Sequence, residues 1–234
     1  MTVYTLEPQP LPTAGPDLAV FIEAELKQRE ICFQSLWRLS AVDASHRLLS
    51  FEILPSGKLE SASFDLLIAV PIHEPPMVVK ELGLPTGWLP ADPNTLLVDT
   101  GSSLPVYAIG DCNCIPLPGQ WKAGVQLWMP KAATIAMREA DVVAHQILSH
   151  IQSSKPDNCK SFDGVGSCFL EMSRAAALRV EMNFLGSIHP EIRSWLAPEK
   201  KLFQAKVRWV EESLGKRLRK ASKRGRHSKS KKTV

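Results

Sequence analysis

Three groups of residues have types and spacing that could do chemistry. In the first, Val106-Tyr107-Ala108-Ile109 reads as a strand that runs into Gly110-Asp111-Cys112. A proline-rich loop then leads to a long helix opened by Lys131 and Ala132. A carboxylate just past a strand end can accept a hydrogen bond from a ligand hydroxyl, and the amides at a helix start favour an anionic group. Gly-Asp is equally the composition of a plain turn, and the residues alone leave both readings open.

The second group is the five cysteines, Cys32, Cys112, Cys114, Cys159 and Cys168. Cys112 and Cys114 are one residue apart, but a zinc site needs two more ligands at comparable spacing, so no metal site is assigned. Cys159 and Cys168 flank Asp163-Gly164-Val165-Gly166, a separation compatible with a disulfide, one reactive thiol, or two inert buried side chains. The third group is Ile72-His73-Glu74-Pro75-Pro76, a loop that follows an apolar run. Such loops sit where α/β sheets tend to bind ligands, and proline stiffening alone explains the composition as well. Glycine-rich phosphate turns of the Gly-x-Gly-x-x-Gly or Gly-x-x-x-x-Gly-Lys-Ser/Thr kind are absent, as are Gly-x-Ser-x-Gly and His-Glu-x-x-His.

These groups need elements to position them. The apolar spacing of Leu18, Phe21, Ile22 and Leu26 predicts a helix over 17–30 with Asp17 as its cap. Short strands are expected at 31–33, 41–43, 48–53 and 61–64, with a turn at Pro55-Ser56-Gly57-Lys58. The continuous run Asp65-Leu66-Leu67-Ile68-Ala69-Val70-Pro71 does not alternate, which predicts a strand covered on both faces, as in a parallel sheet. Residues 77–82 form a short helix, and 96–99 and 106–109 two more strands. A helix over 131–151 lines one face with Ala132, Ile135, Ala136, Ala140, Val143, Ala144 and Ile147. A hairpin over 166–184 and an amphipathic helix over 198–213 complete an α/β chain.

Composition narrows the class. Of 28 Lys and Arg, ten fall after residue 215 with no acid among them, leaving 18 cations against 24 acids in the remainder. The basic character is therefore a property of the tail, and the folded part offers no cationic nucleic-acid surface. Residues 215–234 are expected to be a disordered basic tail, open to solubilising, phosphate-binding or anionic-lipid-binding readings. A run of eighteen apolar residues is absent, and the expected setting is cytoplasmic.

Taken in order, the helix at 17–29, the run Leu66–Pro76, Asp99-Thr100, Val106–Asp111 and Pro130-Lys131 resemble the C-terminal half of sulfide:quinone oxidoreductases and flavocytochrome sulfide dehydrogenases. These belong to the FAD-dependent pyridine nucleotide-disulfide oxidoreductases. The resemblance covers roughly residues 4–212. It implies a partial FAD/NAD(P)-binding Rossmann-like fold of the disulfide-reductase type that lacks the N-terminal glycine-rich unit. Residues 1–104 would be the end of the second nucleotide-binding-like domain and 105–152 the return segment of the FAD domain. Residues 153–214 would form the C-terminal hairpin and helix.

The resemblance further implies FAD as cofactor, with Gly110 and Asp111 at its ribityl and pyrophosphate region and Lys131 and Ala132 facing the flavin ring. It places Cys168 in the region of a redox-active cysteine. The implied reaction carries electrons from sulfide or a similar donor through flavin to a quinone or cytochrome, with a companion chain supplying the missing unit. The helix over 198–213, just after Trp195, would give peripheral membrane contact, and core packing explains the same pattern as well. A non-catalytic remnant or partner-binding domain is the competing expectation.

Overall fold

The computed structural model describes residues 1–84, 87–101, 103–122, 125–152, 160–187 and 190–229. The chain forms two compact units, residues 1–164 with 183–191, and residues 165–182 with 192–234.

The first unit opens with strand β1 (Thr2–Tyr4), helix α1 (Pro16–Gln28) and strand β2 (Cys32–Gln34), which pairs in parallel with β1. The helix begins as its residues require, but not by the expected cap. Gly15 is the N-cap without a side-chain hydrogen bond, Pro16 presets the first helical φ, and Asp17 lies inside the first turn beside the positive end of the helix. Strands β3 (Trp37–Asp43), β4 (Leu48–Ile53) and β5 (Lys58–Ser63) make an antiparallel meander. Phe51, 2% exposed, stacks on Tyr4 at 4.4 Å and meets Trp37 edge-on at 5.3 Å.

Residues 65–71 do not form the expected strand, and the run lies outside every sheet. A strand requires a neighbour to receive its amides and carbonyls, and no described strand lies alongside. The short helix α2 (Met77–Lys80) follows, then β6 (Leu89–Pro90), β7 (Leu97–Val98), β8 (Val106–Tyr107) and β9 (Asn113–Cys114). Strand β6 pairs in parallel with β9, and β7 antiparallel with β8. Strands β10 (Pro116–Lys122) and β11 (Val125–Trp128) form an antiparallel ribbon, and helix α3 (Ala133–Ile151) comes next. In α3 the buried positions are Ile135, Glu139, Val142 and Val143. Ala144 and Ile147 are exposed, so the packed face is rotated from the one that the apolar residues predict.

The second unit is a three-stranded sheet in the order β12 (Val165–Glu171), β13 (Ala177–Asn183), β14 (Glu191–Glu199), followed by helix α4 (Lys200–Lys229). The turn between β12 and β13 is closed by the Met172 amide donating to the Ala176 carbonyl at 2.9 Å. Leu178 and Val180 are almost fully buried, and α4 packs along β12 through buried Leu202 and a Lys206–Glu171 ion pair. The helix extends beyond the amphipathic stretch, as Lys, Arg, Leu and Ala there are strong helix formers. Trp195 lies within β14.

Candidate functional site

Strand β8 delivers Ala108, 1% exposed, to an amide hydrogen bond with the Leu96 carbonyl at 3.0 Å, which fixes the strand end before the turn. Residues Gly110–Cys112 then make one 3-10 turn. Gly110 sits at φ +65°, and a Cβ there would lie 3.3 Å from the Ala136 Cβ of α3. Both the left-handed backbone and the close helix call for glycine.

The turn is held from inside the protein by a residue that the sequence reading missed. Glu139, 1% exposed, accepts from the Gly110 amide at 2.5 Å and from the Asn113 side-chain amide at 3.2 Å. Burial pushes its carboxyl above the usual range. The bonds from Gly110 and Asn113 and the charge of Lys131 pull the other way, and Asp111 adds to the rise. The available signal was a glutamate between Ile135 and Val142-Val143 at helical spacing, a carboxylate placed on the apolar face.

Lys131 holds the same turn from outside. Its ammonium donates to the Asp111 carbonyl at 2.8 Å and the Asn113 carbonyl at 2.6 Å, and lies 4.6 Å from the centroid of the Trp88 ring. The helix itself starts at Ala133. Ala132 is the N-cap in an extended conformation and makes no side-chain cap, so the expected start at Lys131 moves two residues on.

These residues border a cleft of about 680 Å³ walled by Ile72, Pro76, Trp88 and Ile109, with His73, Glu74, Asp111, Cys112 and Lys131 as its polar groups. The volume is in the range of small-molecule and cofactor sites. Asp111 is exposed, and its carboxylate accepts no hydrogen bond among the described residues. Cys112 donates its thiol to the Ile109 carbonyl at 3.2 Å. Glu74 pairs with Lys80, whose hydrogen bond and charge hold the Glu74 carboxyl below its usual range. The loop at 72–76, read as a ligand position or an irregular connection, thus forms one wall of the cleft.

The structure brings Gly110, Asp111 and Lys131 together around one turn, while Ala132 is not among the lining residues. Cys168 belongs to the second unit, on β12, where its side chain is accessible and packing around it pushes the thiol up. That direction disfavours the thiolate, the nucleophilic form. Cys159 lies outside the described residues. Among the described residues no cluster of three or more His, Cys, Asp or Glu could hold a metal, and no helix is long and apolar enough to cross a membrane.

A flavin requires an acceptor for its ribityl hydroxyls, a flat apolar wall and a positive neighbourhood for its phosphates. Asp111, the Trp88 and Ile72 walls, and Lys131 with the uncapped α3 start fit the first two and part of the third. A glycine-rich phosphate turn is missing from the sequence.

No family model matches the chain, and no curated protein does. Solved structures share its fold. A chain of the mitochondrial ATP synthase of Tetrahymena thermophila superposes with a TM-score of 0.62 at 16% identity, over 80% of this chain and 41% of that one. NDH2 from Plasmodium falciparum superposes with a TM-score of 0.60 at 13% identity in a complex with RYL-552, over 89% of this chain and 54% of that one. In a complex with NADH the score is 0.57 at 14% identity, over 82% and 50%. The chain therefore spans about half the length of these structures, and the likeness is one of fold.

Proposed function

We propose that this chain is the C-terminal half of an FAD-dependent oxidoreductase of the sulfide:quinone type. It would carry electrons from sulfide or a similar donor to a quinone or cytochrome, and a companion chain would supply the glycine-rich flavin-gripping unit. The observation that carries the reading is the Gly110–Asp111 turn, locked by Glu139 and Lys131, with the Asp111 carboxylate left unbonded at the mouth of the cleft. The shared fold with NDH2, solved with NADH, is consistent with it.

Bound in the cleft, a flavin would supply the electron-carrying step between donor and acceptor. The chain's own residues bind and orient. Asp111 accepts from a ligand hydroxyl, Glu139 keeps the Gly110 amide and Asn113 fixed, and Lys131 contributes positive charge beside the Trp88 wall. For Cys168 to serve as the donor-side thiol, assembly has to place a positive charge near its sulfur, since its present surroundings favour the protonated form.

Trp88 lines the cleft, so quenching of tryptophan fluorescence on titration with FAD tests the reading. Saturable quenching is expected, weakened about tenfold or more in Asp111→Ala, the loss of one hydrogen bond to a charged group. Quenching that never saturates, or that Asp111→Ala leaves unchanged, overturns it.

A second reading is favoured by the likeness to a chain of a mitochondrial ATP synthase, the highest TM-score of the three structures described. Here the fold would serve as an assembly component with no redox role. Absence of any flavin in the protein isolated from its source would support it.

A further inference from the structure

Residues 216–229 fall in the stretch that composition alone reads as a disordered tail, yet their backbone is helical, and α4 runs unbroken from Lys200 to Lys229. The stretch holds four lysines, four arginines and no acid. At a rise of about 1.5 Å per residue it is about 20 Å long, which is about one cation per 2.5 Å of axis. B-form DNA carries about one phosphate charge per 1.7 Å, so the two charge densities are of the same order.

The spacing gathers these cations on one side. Lys216, Arg219, Lys220 and Lys223 recur at intervals of three and four and so share a helix face, with Arg224 and Arg226 at its two edges. Leu218, Ala221 and Gly225 fall on the opposite side. Like charges at these intervals repel along a helix, and a polyanion laid on the face relieves them. Earlier in α4, by contrast, Lys201 pairs with Glu199 and Lys206 with Glu171. Residues 1–215 carry 18 cations against 24 acids, so a polyanion is drawn to this helix and repelled by the net charge of the rest.

We propose that residues 216–229 of α4 bind double-stranded DNA through its phosphates, without regard to base sequence, the helix lying in the major groove. This activity is independent of the flavin reading and needs neither the cleft nor a cofactor.

Three features select duplex DNA over other polyanions. A helix that lies in a membrane interface sets Trp, Phe or Leu opposite its cations, whereas this stretch has Leu218 and Ala221 alone. The large apolar residues of α4, among them Phe203 and Trp209, precede it, and Leu202 is already buried. An acidic protein partner is ordinarily anchored by aromatic or large apolar side chains, and the stretch offers no aromatic residue. A helix about 10–12 Å across enters the major groove of B-form DNA, about 12 Å wide, but not the deep and narrow major groove of A-form RNA.

The test titrates the full chain into a fluorescein-labelled DNA duplex of about 24 base pairs and follows anisotropy at salt concentrations from about 50 to about 200 mM. Engagement of four to six cations gives a slope of log association constant against log salt of about −4 to −5, equal for two unrelated sequences. The variant Lys216→Gln, Lys220→Gln, Lys223→Gln should bind at least about tenfold more weakly with a slope shallower by about 3. Glutamine is a comparable helix former, so circular dichroism should show the helix retained. Lys27→Gln with Lys58→Gln, two cations of the first unit, should bind as the wild type does. A wild-type slope shallower than about −2, or a triple variant that keeps its helix and binds like the wild type, overturns the proposal. Tighter binding to an RNA duplex of the same length, or to phosphatidylserine vesicles, assigns the face to that partner and overturns it as well.

Discussion

Removing the Glu139 carboxylate tests the account of how the turn is built. Glu139→Ala leaves two donors without their acceptor, the half-buried Gly110 amide and the buried Asn113 side-chain amide, whose remaining contact is the Ala108 carbonyl at 3.5 Å. The buried donor costs about 1–3 kcal/mol when unsatisfied and the half-buried one less, and relief of the buried carboxylate returns part, so the net loss should be about 1–3 kcal/mol. Glu139→Gln should cost about 1 kcal/mol, because its carbonyl can still accept from Gly110 while Asn113 turns its amide over. Urea denaturation gives the totals, and amide exchange across residues 108–114 locates the loss. The pH dependence adds a signed check. The folded carboxyl lies above its unfolded value of about 4.3, so the stability it contributes is complete below that value and falls as pH rises through the folded pKa. The glutamine variant lacks that titration, so wild type should lose ground to it across the window by no more than about 1.4 kcal/mol per pH unit. An alanine variant as stable as wild type, or a wild type that gains on Glu139→Gln as pH rises there, would refute the reasoning.

Other consequences follow from the same contacts. Gly110→Ala combines a left-handed φ with a Cβ 3.3 Å from Ala136, and a loss of about 1–2 kcal/mol is expected in thermal or urea unfolding. Phe51→Ala empties the ring stack with Tyr4 and Trp37 and should cost about 3–5 kcal/mol, visible as a lowered Tm. The Asp43 carboxyl, held by the Ser45 hydroxyl and the His46 amide, should titrate at about 2 by NMR. Its contribution is present above the unfolded value and lost as pH falls through about 2. Cys168 should react slowly with iodoacetamide at neutral pH despite its accessibility. A rate matching an activated thiol would show that the surroundings of the sulfur are polar.

How much of this was legible in the sequence depends on where each residue finds its partner. Helix α1 and the meander β3–β4–β5 were readable because their partners are close in the chain, and the pattern of apolar residues encodes the packed face. The start of α3 was misplaced by two residues because Lys131, a good helix former, is drawn to carbonyls 18 and 20 positions earlier. Glu139 is illegible as a site residue for the same reason. A glutamate on a helix is ordinarily a solvated residue, and only a turn 29 positions away makes it a buried acceptor. Gly110 and Asp111 were visible as a motif and the loop 72–76, with His73, as a ligand position, whereas Trp88 reaches the cleft from a segment whose sequence carries no pattern pointing there.

The apolar run 65–71 differs in kind from these misses. Its composition specifies a strand covered on both faces, and the run carries no strand in this chain because the neighbours that would satisfy it are not among the described residues. Local propensity and global structure usually agree in a folded protein, and a conflict marks either strain or a missing partner. Strain would require the segment to be forced into its conformation by packing, yet three of its side chains, Leu66, Ile68 and Val70, are at least 78% exposed. Composition reads the covering a segment could have and not the covering it has, which is why the run predicts a strand that the described residues do not form.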